Sequence, residues 1–145
     1  MKLQPNDAVA AIILGANGRV LLQLRDDKPD IFFPNMWGLF GGAVEAGETP
    51  EIALLRELNE ELGIAFPVTN LKKFTEFTFD FAPWGYGVLY RKFYLVEAAA
   101  YPVDRFVLGE GRKLGYFDLD DALATLKLVP YDAFALWMFH FSKAK

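Results

Sequence analysis

Gly42-Ala43-Val44-Glu45-Ala46-Gly47-Glu48-Thr49-Pro50-Glu51-Ile52-Ala53-Leu54-Leu55-Arg56-Glu57-Leu58-Asn59-Glu60-Glu61-Leu62-Gly63-Ile64 is the stretch on which the reading of this chain turns. Thr49 is a good N-cap, and Pro50 suits the first helical position, where its missing N–H leaves no bond unmade. Gly63 tolerates the left-handed backbone that closes helices. These signals predict a helix over Pro50 to Leu62. At about 100° per residue, Glu57, Glu60 and Glu61 fall within an arc of roughly 100°, with Ile52, Leu54, Leu55, Leu58 and Leu62 on the opposite side. Such a helix docks its apolar stripe on a core and presents three carboxylates together. Like charges at helical spacing cost about 0.2–0.5 kcal/mol per pair, and Arg56 is the obvious local counter-charge. A hard divalent cation would compensate, because magnesium prefers oxygen ligands and bridges carboxylates to substrate phosphates while keeping several waters. Taken alone, three glutamates on a helix more often mean simple solvation.

Outward from this helix, the chain reads as mixed α and β in one domain spanning residues 1–145. Ala8 to Leu14 and Val20 to Arg25 are apolar runs separated by Gly15-Ala16-Asn17-Gly18-Arg19, whose Asn-Gly pair signals a hairpin. Asp26 to Asn35 carries three Asp, a Lys and two prolines, an exposed loop within reach of a substrate. Asp26-Asp27-Lys28-Pro29-Asp30 lacks the alternating ligands and turn glycine of an EF-hand. The short apolar run Met36 to Phe40 follows. Beyond the helix, Thr69 to Phe81 and Val88 to Val96 predict two long strands joined through Pro83-Trp84-Gly85-Tyr86-Gly87. Leu114 to Phe117 predicts a short strand, Asp118 or Asp120 a helix cap, and Tyr131 to Ser142 a final helix.

Composition narrows the chemistry. The 145 residues contain no cysteine and one histidine, His140, which removes disulfides, thiolate sites, cysteine nucleophiles and His-rich zinc sites. His140, in an aromatic terminal helix, reads as structural. Nineteen acidic against fifteen basic residues, a net charge of −4, argue against binding a nucleic acid polymer. Met1 to Asp7 is polar, contains Pro5 and lacks the pattern of a secretory signal, so a cytoplasmic location is expected. The run Ala8 to Leu14 is far shorter than the roughly 20 residues of a membrane span.

Gly42, Glu48, Arg56, Glu57, Leu58, Glu60, Glu61, Gly63 and Ile64 fill the pattern G-x5-E-x7-R-E-U-x-E-E-x-G-U, U being a bulky aliphatic. This resembles the signature of the Nudix hydrolases with no position missing. Chance coincidence at average residue usage is on the order of one in ten million, so the resemblance outweighs the solvated-face reading. It implies an α/β/α sandwich around a mixed β-sheet. It also implies hydrolysis of a nucleoside diphosphate linked to another group X, by water attack on phosphorus with magnesium or manganese assisting. By the matched positions, Glu57 and Glu61 resemble metal ligands, Glu60 a further ligand or base, and Arg56 the residue orienting them. Glu48 resembles a partner of Arg56 or an outer ligand, and Gly41-Gly42 would bring a main-chain carbonyl to the metal. Relatives often supply another acid from a later loop. Glu110, in Glu110-Gly111-Arg112-Lys113-Leu114-Gly115-Tyr116-Phe117, is the candidate here, with Arg112 and Lys113 as phosphate contacts.

One departure precedes the signature: relatives often read Leu-Pro-Gly-Gly where this chain has Leu39-Phe40-Gly41-Gly42. Trp37, Phe77, Phe79 and Phe81 read mainly as core, whereas Trp84 and Tyr86, in a Gly-rich turn, are candidates for base stacking. Signatures of the NADH, coenzyme A and ADP-ribose subfamilies are not evident. X is thus unassigned by signature; nucleoside triphosphates, including damaged ones, are the first expectation because the chain is near the minimal size for the family, followed by nucleotide sugars and ADP-ribose. A Nudix-fold binding or regulatory domain without catalysis is the reading from another class, and a homodimer is left open.

Overall fold

The computed structural model describes residues 7–143, so Met1 to Asn6 with Pro5, and the last two residues, lie outside the described region. The central strand is β1 (Ala8–Leu14), an unbroken apolar run. Such a run fits a strand covered on both faces. Val9, Ala11 and Ile13 face one core layer, while Ala10 and Ile12 face the other. β2 (Val20–Leu24) returns from it through a turn in which Asn17 and Gly18 both have positive φ, 62° and 71°. Asn-Gly is the dipeptide that accepts that geometry most readily.

The expected single run Met36 to Phe40 is instead divided into β3 (Trp37–Gly38) and β4 (Phe40–Ala43). β3 pairs with Gln23 and Leu24 of β2, whereas β4 pairs with Ala8 to Ala11 of β1. β1 and β2 themselves pair only at Leu14 and Val20. The two strands thus diverge as a fork, and the segment from Trp37 to Ala43 wedges into it. Phe40, at the position where relatives often have proline, is wholly buried in the core of this wedge.

α1 (Pro50–Leu62) has the expected ends. Thr49 Oγ1 accepts from Ile52 N at 3.2 Å, and Gly63 closes the helix with a φ of 69°. Ala53, Leu54, Leu58 and Leu62 are buried against β1, Phe40, Tyr94 and Val96. Ile52, expected on the docking side, is 55% exposed. At about 100° per residue it lies 60° beyond Leu55, outside the stripe.

β5 (Leu71–Asp80) and β6 (Val88–Glu97) form an antiparallel pair. β6 runs parallel to β1, which makes the sheet mixed. β5 starts later than expected because Val68 to Asn70 form a 3-10 turn after Pro67. A bulge between Lys73 and Thr75 absorbs Phe74 as an extra residue, so Phe74 and Phe77, an odd number apart, share one core layer. β7 (Lys113–Phe117) covers β2, and the order along the sheet is β3-β2-β1-β6-β5.

α2 (Leu119–Thr125) and α3 (Pro130–Lys143) bury Leu119, Ala122, Ala135, Leu136 and Phe139 against Ala10, Ile12, Leu22 and Phe93. Asp118 is the N-cap of α2, but without a side-chain bond to the helix. One helix therefore covers one face of the sheet and two cover the other, giving the α/β/α sandwich. Among the described residues no helix is long and apolar enough to cross a membrane.

Candidate active site

Arg56 ties the loop before α1 to the helix. Its Nε donates to Glu48 Oε2 at 2.7 Å and its Nη2 to Glu48 Oε1 at 2.9 Å, a bidentate pair. Its other donors reach Ala43 O at 3.1 Å, Glu57 Oε1 at 3.0 Å and Glu60 Oε1 at 3.4 Å. Glu48 also accepts from Glu45 N at 3.0 Å. The guanidinium and this backbone N–H together pull the Glu48 carboxyl down to about 2, and the carboxylates raise Arg56 in return. Arg56 thereby neutralises part of the acidic face and fixes the side chains on either side of it.

Glu61 goes the other way, inward. It is 3% exposed, with Oε1 accepting from Gly41 N at 3.0 Å and Oε2 facing Gln23 Nε2 at 3.4 Å. Burial, then the charges of Glu57 and Glu110, push its carboxyl up to about 8. Glu57 is raised mainly by burial, with Arg56 opposing. A Cβ on Gly42 would meet the Glu57 carboxyl carbon at 2.4 Å, so only glycine leaves bare backbone beside that carboxylate.

Glu110 comes from a loop fastened to the end of α1. Val107 N donates to Leu62 O at 2.9 Å and Gly109 N to Glu61 O at 2.8 Å. A Cβ on Gly109 would lie 2.3 Å from Glu60 O, so the loop runs flush against the helix. Glu57, Glu61 and Glu110 consequently share one wall of a cavity of about 370 Å³, beside Gly41 and Gly42, at the open end of the fork. Glu60 lies outside that cavity, half-exposed beside Arg56.

The remaining cavity wall comes partly from the Asp26 to Asn35 loop, expected within reach of a substrate, and partly from residues that sequence reasoning had not marked. Gln23 enters from β2 and Arg25 from just beyond its end, Leu89 and Arg91 from β6, and Tyr131 from α3. Gln23 carried a weak signal as the one polar residue in Val20-Leu21-Leu22-Gln23-Leu24. Arg91 carried none, since it stands in Tyr90-Arg91-Lys92 and reads as an ordinary charged strand face. The Asp26 to Asn35 loop contributes Asp26, Ile31 and Phe32. Of the expected substrate contacts, Tyr86 packs on Phe32 with ring centroids 5.1 Å apart, one layer behind the cavity. Trp84 is 70% exposed against Phe81, and Arg112 reaches Asn35; neither lines the cavity. His140 pairs with Asp120 at 3.2 Å on a separate surface.

The NUDIX domain profile matches residues 4–138. The chain belongs to the Nudix family. Nucleoside triphosphatase NudI of Enterobacter sp. (strain 638) is 41% identical over 64 residues, 44% of each chain, so the match spans less than half the length of this curated relative. Among solved structures, a MutT Nudix hydrolase from Burkholderia pseudomallei aligns with a TM-score of 0.72 at 30% identity, covering 92% of this chain and 97% of that one. The MutT protein from Methanosarcina mazei Go1 gives a TM-score of 0.76 over both whole chains; at 20% identity it speaks to the fold alone.

Nudix hydrolases generally use divalent metals. Among the described residues no three acidic or histidine side chains close into a metal cage. The donors nevertheless fit a hydrated hard cation: two carboxylates raised by burial and mutual repulsion, a third beside them, and bare Gly42 backbone. Such a cation takes a few protein oxygens and completes its shell with water and substrate phosphate.

Proposed function

We propose that this Nudix protein hydrolyses the phosphate chain of a nucleoside diphosphate linked to X, with nucleoside triphosphates, damaged ones included, as first substrates. The observation that carries this reading is the single wall formed by Glu57, Glu61 and Glu110, where buried negative charge lacks enough local compensation. Magnesium, or manganese in its place, would be held by Glu57, Glu61 and Glu110 with the Gly42 carbonyl, and Glu60 at the rim. When bound, the metal supplies neutralisation of phosphate charge, polarisation of P–O and easier deprotonation of water.

The chain's own residues do the rest. Arg56, locked by Glu48, holds Glu57 in place, while Gly41 N–H and Gln23 orient the two oxygens of Glu61. Glu110, which lines the cavity and accepts no hydrogen bond among the described residues, and Glu60, which accepts only from Arg56 at the rim, are the carboxylates this reading assigns to take the proton from the attacking water. The histidine lies on another surface and cysteine is absent, so the reading is direct water attack without a covalent phosphoenzyme. The NudI similarity favours nucleoside triphosphates over nucleotide sugars and ADP-ribose.

The test is a metal-dependent screen of nucleoside triphosphates, oxidised guanine nucleotides, nucleotide sugars, ADP-ribose and dinucleoside polyphosphates, followed by phosphate release and product identity. Glu57→Gln and Glu61→Gln each keep the shape but remove ligand charge, so turnover should fall by at least about a hundredfold. Turnover near wild type in both variants would put the chemistry elsewhere.

A further inference from the structure

Arg91 lines the cavity and has no part in the glutamate wall. Behind the cavity it meets Asp132, the two residues being 8% and 2% exposed. Arg91 Nε lies 3.3 Å from Asp132 Oδ1, yet neither atom makes an aligned hydrogen bond. Asp132 is anchored through its other oxygen, which accepts from Leu39 N at 3.0 Å. The guanidinium carbon sits 4.5 Å from the centroid of the Tyr131 ring. Arg91 is thus fixed from two sides while it lines the cavity.

A guanidinium carries five N–H donors and no acceptor. One of these is turned to Asp132, and among the described residues no hydrogen bond reaches the two terminal nitrogens. Guanidinium donors that line the cavity with no protein acceptor suit a ligand that brings acceptors. The surroundings say what kind. Ile31, Phe32, Leu89 and Tyr131 bring apolar and aromatic surface to the cavity beside Arg91, Arg25 is tied by its Nε to Phe32 O at 2.9 Å, and Tyr86 braces Phe32 from behind. Flat apolar surface next to unused guanidinium donors suits an aromatic base that carries acceptors.

Resting on the reading that the phosphates meet the glutamate wall, we propose that Arg91 recognises a ring carbonyl of the nucleobase and selects oxo-bearing bases over adenine. Guanine offers adjacent O6 and N7 acceptors to an arginine fork, and uracil or thymine offers O4. Adenine keeps N7 but presents an amino donor in place of O6, so one arm of the fork would face a donor. Asp132 is a positioning residue that holds the guanidinium and never touches the base.

The test is equilibrium binding of GMP, UMP and AMP without added metal, together with kcat/KM for the corresponding triphosphates. Arg91→Lys keeps a cation beside Asp132 but loses the fork. Arg91→Met combined with Asp132→Asn removes both charges, so no carboxylate is stranded if the first variant folds poorly. Wild type should bind GMP and UMP at least about tenfold more tightly than AMP, and both variants should bring that ratio close to one through GMP and UMP alone. Equal affinity for the three bases in wild type, a retained ratio in a folded variant, or an equal loss for all three would overturn the proposal. The two readings fail separately: base-selective binding with no hydrolysis under any metal sinks the hydrolase reading and leaves the base site standing.

Discussion

Glu48 and Glu61 belong to one sequence signature, yet their surroundings act on them in opposite directions. Glu48, beside Arg56, is pulled down to about 2. A carboxyl depressed in the fold stabilises above its unfolded value, ordinarily near 4.5, and loses that contribution as pH falls through about 2. Thermal unfolding of Glu48→Gln should therefore lag wild type at neutral pH, with the gap closing as the pH approaches 2. A gap independent of pH would show that Arg56 does not hold Glu48. The inward turn of Glu61 was half legible. At about 100° per residue it stands only 20° from Leu54, at the border of the apolar stripe, while Glu60 sits well outside it. Arg91 and Asp132 were not legible, because a buried charge looks like a surface charge until its partner from another element is known.

At the scale of elements, α1 was readable because its start, stop and stripe are all local. Thr49→Ala should cost about 1 kcal/mol in denaturant unfolding, since Ile52 N loses its acceptor. An unchanged midpoint would mean that another group caps the helix. Leu58→Ala, in the buried stripe, should cost about 2–5 kcal/mol. Gly109→Ala tests the loop instead. The added Cβ meets Glu60 O at 2.3 Å, so Glu110 must shift and kcat should fall while the unfolding midpoint moves less than in Leu58→Ala. An unaltered kcat would remove Glu110 from the chemistry. The division of Met36 to Phe40 into two strands was not readable, because a change of hydrogen-bond partner at Leu39 leaves no mark on the local apolar pattern. The bulge at Phe74 was hidden for a similar reason: period-two alternation assumes an unbroken register.

Across the whole molecule, the order of strands and helices read as mixed α and β, and the resemblance implied the α/β/α sandwich; the run Ala8 to Leu14 was read only as one arm of a hairpin, whereas the structure covers it on both faces. What the order could not convey is the fork between β1 and β2, which lets one cavity collect carboxylates from α1 and a later loop together with Arg91 and Tyr131. The proposed chemistry is water attack on phosphorus under the control of the glutamate wall. Hydrolysis of the preferred nucleotide in oxygen-18 water, with the products analysed by mass, measures this directly. One label should appear on a phosphate product in each turnover and should be lost together with turnover in Glu57→Gln. Label on a sugar carbon or the base, or a phosphate trapped on the protein, would contradict it.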